Sequence, residues 1–340
     1  MPPIRVGLIG YGLGGETFHA PLITADPAYE LRAIATRRAE AVARGGTGAR
    51  AVPDPEAVIL DPEVDLVVIS TPNDAHAPLA ERALAAHKHV VVDKPFTVSS
   101  GEADRLLALA AEHRRCLSVF HNRRWDGDFL TVRELLAKER LGRLYTFESH
   151  LDRFRPEVKV RWKEEDVPGA GSLHDLGSHL IDQALQLFGT PESVLADLGR
   201  QRPGARAIDF FHLVLRYGEL RVILHGGSVV SDPWPRFVLQ GDRGSYLKYG
   251  LDPQEEQLKA GLRPGDPAWG KEPPERHGAL STGARIPTRA GSYPHFYRAM
   301  ALAIAGDGPV PVPAEDAAQV IRVIEAALAS DADGRRVSLG

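Results

Sequence analysis

The stretch Ile4-Arg5-Val6-Gly7-Leu8-Ile9-Gly10-Tyr11-Gly12-Leu13-Gly14-Gly15 decides the fold class. Four of its first six residues, Ile4, Val6, Leu8 and Ile9, are apolar and branched, the pattern of a buried strand. Gly10-Tyr11-Gly12-Leu13-Gly14-Gly15 then fits a G-x-G-x-x-G turn, and Thr17–Leu22 can open a helix. In such a turn Gly10 permits the tight bend, Gly12 lets the backbone approach a pyrophosphate, and Gly15 allows close helix–strand packing. The helix start offers free N–H groups and a positive dipole to the anion. Because the chain holds 33 glycines, the motif alone would arise by chance; its place directly after a strand is what makes it informative.

Outward from this turn, Tyr29–Ala35, Leu66–Ile69, Val90–Val92 and Leu117–Val119 read as further buried strands. Pro78–Ala86 and Ser99–His113 between them have helical spacing, with Leu106, Leu109, Ala110 and His113 at i, i+3, i+4 and i+7. Strand–helix alternation predicts a doubly wound parallel sheet over residues 1–120. The pattern changes in residues 121–340. After a helix at Asp128–Lys138, strands are expected at Leu144–Arg153, Val194–Gly199, Phe210–Tyr217, Leu220–Gly226 and Arg236–Leu239, with one helix at Leu173–Leu187 among them. Strands without a helix between each pair predict an α+β domain on a large, mostly antiparallel open sheet. Tyr217-Gly218-Glu219-Leu220 reads as a hairpin turn. Leu251–Pro294, rich in Pro, Gly and charge, reads as a long surface excursion and a candidate lid. Helices at His295–Ala305 and Ala314–Ser330 close the chain, and they are candidates to pack back on the first domain.

A length of 340 residues suits two domains, and 43% hydrophobic content supports two cores. The net charge of −4 gives no general attraction to nucleic acid or an anionic membrane. No apolar run approaches a membrane span. The single cysteine, Cys116, forms no intrachain disulfide and reads as core rather than nucleophile. The expected location is the cytoplasm, with no nucleic-acid or membrane partner.

The second strand ends Ala35-Thr36-Arg37-Arg38, with no acid at its tip. A carboxylate there would repel a 2′-phosphate, whereas Arg37 and Arg38 attract one, so NADP is expected over NAD. Three segments are candidates for the reacting centre. Asp93-Lys94-Pro95 follows a strand end, where Lys94 reaches a ribose or a reacting oxygen. Ser70-Thr71-Pro72-Asn73-Asp74-Ala75-His76 follows another strand end and is expected to line the nicotinamide side. On a helix, Asp175, His179, Asp182 and Gln186 share one face. Such a stripe is either a solvated surface or, with Asp175 one turn from His179, a proton-transfer pair. His174 and His179 are five apart and no cysteine accompanies them, so no metal site is expected.

These features together resemble the Gfo/Idh/MocA oxidoreductase family. Gly7-Leu8-Ile9-Gly10-Tyr11-Gly12, Thr71-Pro72-Asn73-Asp74-Ala75-His76, Asp93-Lys94-Pro95 and the Asp175-x-x-x-His179 pair match its motifs in order. Gly14-Gly15-Glu16-Thr17-Phe18-His19-Ala20-Pro21-Leu22, Phe120-His121-Asn122-Arg123-Arg124-Trp125-Asp126, Phe154-Arg155-Pro156 and Leu251-Asp252-Pro253-Gln254-Glu255-Glu256 point to its subgroup of NADP-dependent scyllo-inositol dehydrogenase-like members. The resemblance implies a Rossmann domain followed by an α/β domain used for oligomerisation, as a homodimer or homotetramer. It implies hydride transfer between nicotinamide and an inositol, sugar or related polyol. Lys94 and His179 would handle the hydroxyl and Asp175 would support them. Asn122 would lie by the nicotinamide, and Arg161 and Trp162 by the substrate. Two alternatives stay open: an NADP-binding sugar sensor without catalysis, and a reductase of an unrelated substrate.

Overall fold

The structure is a computed structural model and describes residues 2–339. The chain divides into two compact units. The first comprises residues 2–125, 253–269 and 292–318; the second comprises 126–252, 270–291 and 319–339.

The first unit carries a six-stranded, all-parallel sheet of β1 (Ile4–Ile9), β2 (Tyr29–Ala35), β3 (Arg50–Val52), β4 (Leu66–Ile69), β5 (His89–Val92) and β6 (Leu117–Val119). The order β3-β2-β1-β4-β5-β6 is that of a dinucleotide-binding doubly wound sheet. Every residue of β4 is buried, and so are Val90, Val91 and Val92, because helices cover both faces. The predicted strands and the helix at Ser100–His113 are present, with the Ser99 hydroxyl capping Glu102 N–H. β3 escaped the sequence reading because three residues are too few to show a period. Cys116 is half-buried, and burial pushes its thiol pKa up, away from thiolate reactivity.

The second unit is built on a nine-stranded sheet. Its members are β7 (Leu144–His150), β8 (Ser193–Gly199), β9 (Phe210–Tyr217), β10 (Leu220–Gly227), β11 (Phe237–Gly241), β12 (Gly244–Lys248), β13 (Gly278–Leu280), β14 (Arg285–Ile286) and β15 (Val337–Ser338). Only β7 and β10 pair in parallel; the other ladders are antiparallel. β9 and β10 are joined by the predicted hairpin. Phe211, Leu213, Leu215, Val222 and Leu224 alternate into the core, as befits a sheet covered on one face. The helix Ser178–Phe188 packs on that face with Leu180, Ile181 and Ala184 fully buried.

The expected excursion at 251–294 is instead a set of anchored pieces. In the first unit it supplies the helix Gln254–Lys259, and in the second it supplies β13 and β14. Its anchors are polar as often as apolar, which hides them from a hydrophobic pattern. The fully buried Gln254 side chain donates to Trp125 O and accepts from Tyr293 N. The Lys248 ammonium, wholly buried, donates to Tyr249 O and pairs with Glu272 at 3.1 Å. Among the described residues no helix is long and apolar enough to cross a membrane.

Removing Glu272 strands a buried ammonium. Glu272→Ala is therefore expected to destabilise the fold by ~3–5 kcal/mol. Urea denaturation reads this directly; a change below ~0.5 kcal/mol, typical of surface sites, would contradict the anchoring.

Candidate active site

In the first unit, the glycine turn has the shape its sequence foretells. Gly10 has φ 97°, and a Cβ there would lie 2.1 Å from the Ser70 carbonyl oxygen. A Cβ on Gly15 would lie 2.1 Å from the Gly10 carbonyl oxygen, so the third glycine allows helix and strand to touch. At Gly12 a Cβ would meet nothing within 4 Å, which leaves that backbone open to a ligand. The helix that follows starts with a widened turn, Ala20 N–H reaching Gly15 O, across Gly14–His19. An open second glycine at a helix start fits a pyrophosphate, and the residues present suit a dinucleotide.

Asp93 links this turn to the loops after β4 and β5. It accepts from Ser70 Oγ at 3.0 Å and from Lys94 N–H at 2.8 Å, and His19 Nε2 lies 3.5 Å away. Burial alone would raise its pKa, but hydrogen bonding and charge from His19, with the Lys94 ammonium, hold it well below the usual carboxylate range. A Cβ on Gly14 would come within 2.3 Å of Ser70 Oγ and 2.7 Å of Asp93 Oδ2, so a larger residue there would have to displace these side chains. His19 Nδ1 lies 2.6 Å from the Tyr297 hydroxyl oxygen. The Lys94–Pro95 peptide is cis, and Lys94 is half-buried.

His76 is fully buried. Its ring lies against two carbonyls, Pro95 O at 2.8 Å and Thr71 O at 3.1 Å, and burial pushes its pKa down. It fastens the Thr71 loop to the Lys94 loop. Of its neighbours, Pro72 is exposed, Thr71 half-buried and Asn73 buried at the start of a single helical turn. Asn122 is also buried, in the turn Asn122–Trp125. The adjacent Arg123 and Arg124 are structural, paired with Glu255 at 3.0 Å and Asp316 at 3.1 Å.

Beyond β2, Thr36 Oγ1 accepts from Arg38 N–H. Arg38 bends back, donating to Tyr11 O at 2.6 Å and pairing with Glu16 at 2.9 Å. Arg37 is exposed and makes no ion pair among the described residues. The two guanidinium groups are thus not equivalent: one braces the glycine turn, the other is available.

In the second unit, a helix begins at Gly171, passes through a widened turn at Leu173–Gly177 and continues as Ser178–Phe188. The widened turn changes the register between Asp175 and the residues beyond it, so the even polar stripe of a regular helix is not kept. Nor is the stripe solvated: His179 and Asp182 are buried, Asp175 is half-buried, and only Gln186 is exposed. Gly177 is approached by Leu173 of its own helix and by Phe211 of β9. Asp175 pairs with Lys163 at 2.8 Å and Arg153 at 3.6 Å. Arg161 pairs with Glu164 at 2.7 Å, and Trp162 carries the Lys163 ammonium 5.6 Å from its ring centre. Arg153, Arg161, Lys163, Glu164 and Asp175 line one cleft open to solvent, with Gly171 and Ser172; Trp162 and His179 do not line it.

Sequence reasoning missed His19, Ser70, Lys163 and Arg153. Ser70 and His19 lay inside quoted motifs, but their partnership with Asp93 spans 23 and 74 positions, and no local period reports that.

Two models of one oxidoreductase family match the chain: the NAD-binding Rossmann fold over residues 4–121 and the C-terminal alpha/beta domain over 133–339. The chain is 49% identical over 334 residues to the uncharacterized oxidoreductase YdgJ of Escherichia coli (strain K12), covering 96% of each. It is 42% identical over 343 residues to the scyllo-inositol 2-dehydrogenase (NADP(+)) IolW of Bacillus subtilis (strain 168), covering 99% of this chain and 96% of that one. A solved oxidoreductase structure from Bacillus subtilis, yvaA, superposes with a TM-score of 0.96 at 41% identity, covering 100% of this chain and 99% of the other. One from Yersinia pestis does so at 0.94 and 46%, covering 99% and 97%. The glycine turn, the Asp93-Lys94-Pro95 corner and the Asp175–His179 helix therefore belong to an enzyme of the Gfo/Idh/MocA oxidoreductase family.

Proposed function

We propose that this enzyme prefers NADP and moves a hydride between the nicotinamide and a hydroxyl carbon of an inositol, sugar or related polyol. The observation that carries the reading is the Asp93 carboxylate, which fixes the backbone of Lys94 beside the glycine turn. The Bacillus subtilis relative, a scyllo-inositol 2-dehydrogenase (NADP(+)), supports the substrate class and the cofactor.

The nicotinamide, when bound, supplies the hydride acceptor. Gly10, Tyr11, Gly12 and Gly15 present the turn to its pyrophosphate. Arg37 meets the 2′-phosphate, while Arg38 and Thr36 shape the turn beneath it. Thr71, Pro72, Asn73 and Asn122 line the nicotinamide side, with His76 holding their loop. In the oxidative direction an imidazole nitrogen of His179 accepts the hydroxyl proton as the C–H bond gives up its hydride. The Lys94 ammonium steadies the developing alkoxide, which lowers the barrier without taking part in bond breaking. Asp175 supports the charge on His179 and, with Arg161 and Trp162, positions the polyol. We further expect a homodimer or homotetramer.

Lys94→Ala and His179→Ala should each retain NADPH binding and lose ~100-fold or more of turnover. Nicotinamide absorbance with a panel of inositols and aldoses checks this; normal turnover in both variants would refute the assigned roles. Tight NADPH binding with no turnover on any polyol would favour the sensor reading.

Arg37→Ala should weaken NADPH binding by about tenfold or more while NADH binding holds, since only the phosphate loses a charged partner. An unchanged NADPH to NADH ratio in fluorescence titration would remove Arg37 from cofactor selection.

A further inference from the structure

The cleft beside Asp175 carries more positive charge than a neutral polyol needs. Five cationic side chains line it, Arg153, Arg155, Arg161, Lys163 and Arg202, against two carboxylates, Glu164 and Asp175. Four of the five are committed to acids. Lys163 and Arg153 hold Asp175, Arg161 holds Glu164, and the buried Arg202 holds Glu164 and Asp209. Arg155 has no side-chain ion pair among the described residues.

Its position is built rather than accidental. Residues 153–155 run as an extended edge against 227–230: Arg153 N–H donates to Gly227 O, Arg155 N–H to Ser228 O, and Val230 N–H to Arg153 O. Side chains two apart on such an edge share a face, so Arg153 and Arg155 turn into the cleft together and Phe154, 60% exposed, turns away. From beneath, Arg202 donates to Arg155 O at 3.4 Å and Glu157 O at 3.2 Å, and so holds this segment in place. The floor of the cleft is Gly171 and Ser172, the first residues of the helix that bears Asp175 and His179. That helix start adds its own positive potential to the guanidinium groups.

We propose that the substrate is an anionic sugar or polyol, whose carboxylate or phosphate is received by Arg155 with Arg153 at this helix start. The inference rests on Asp175 belonging to the substrate site, as argued above. It narrows the substrate from any polyhydroxylated compound to one carrying a charged oxygen group near the oxidised hydroxyl. Anchoring by charge also orients the ring, since a guanidinium accepts two oxygens at once and a lone hydroxyl contact does not.

Isothermal titration of the full-length, NADP-loaded protein with glucuronate, glucose 6-phosphate and glucose tests it. At least one of the two anions should bind about tenfold or more tightly than glucose. Preference for glucuronate assigns the cleft to a carboxylate, and preference for the phosphate assigns it to a phosphate. Arg155→Ala should remove that advantage and Arg155→Lys should restore part of it. The paired measurement is the ratio of kcat/KM for anion over neutral sugar, expected to fall about tenfold in Arg155→Ala. Equal binding of all three ligands, or an anion advantage unchanged in Arg155→Ala, overturns the proposal. Turnover of neutral polyols in that event would leave hydride transfer standing. Conversely, normal turnover in Lys94→Ala would refute the catalytic roles without altering these binding ratios.

Discussion

A carboxylate largely removed from water must be compensated, and around the half-buried Asp93 that requirement shapes the business end of the first unit. Desolvating an acid costs several kcal/mol unless donors replace the lost water. Here a hydroxyl from the loop after β4 and the next backbone N–H donate to it, and the His19 ring nitrogen lies 3.5 Å away. The same group lies where a side chain at Gly14 would press, so the glycine turn and the corner bearing Lys94 are in close contact. The chain of contacts runs on through His19 to the Tyr297 hydroxyl, and Tyr29 Oη donates to Tyr297 O. A residue 278 positions from His19 therefore helps set the corner on which Lys94 stands.

The second unit solves a related problem with more charge. Arg202 is nearly wholly buried and answers two acids, Glu164 and Asp209, while reaching the carbonyls of residues 155 and 157. Buried ion pairs of this kind contribute little net stability against a hydrophobic replacement. What they supply here is shape: a short segment without regular structure is held so that its cations face one cleft. Preorganisation of this sort lowers the ordering cost of binding. Arg236, also buried, performs a comparable service for the helix Ser178–Phe188. It donates to Gln183 Oε1 at 2.7 Å and lies 3.7 Å from Asp128.

Polar anchors also explain why the segment 251–294 misled a reading based on composition. Pro, Gly and charge are the usual marks of exposed loops. Here Asp252 accepts from Gly127 N–H at 2.7 Å, Gln254 spans two backbone groups, and Glu272 answers a buried lysine. The strands it contributes, three and two residues long, are too short to show an alternating period.

Local order alone determined much of this protein. A strand running into G-x-G-x-x-G, alternating strands and helices, and the hairpin at Tyr217–Leu220 declare two kinds of sheet, because backbone period and glycine sterics act over a few residues. The motifs that placed the chain in its family are equally local, each a corner or a single turn. Tertiary structure alone decided which charges are spoken for. Arg37 and Arg38 are adjacent in sequence, yet only Arg38 is tied to Glu16 and Tyr11. Asp175 faces Lys163 and Arg153, and Arg155 has no acid partner among the described residues. Electrostatic partnership acts through space over a few ångströms, and the chain brings together residues tens to hundreds of positions apart, so no pattern along the sequence can report it.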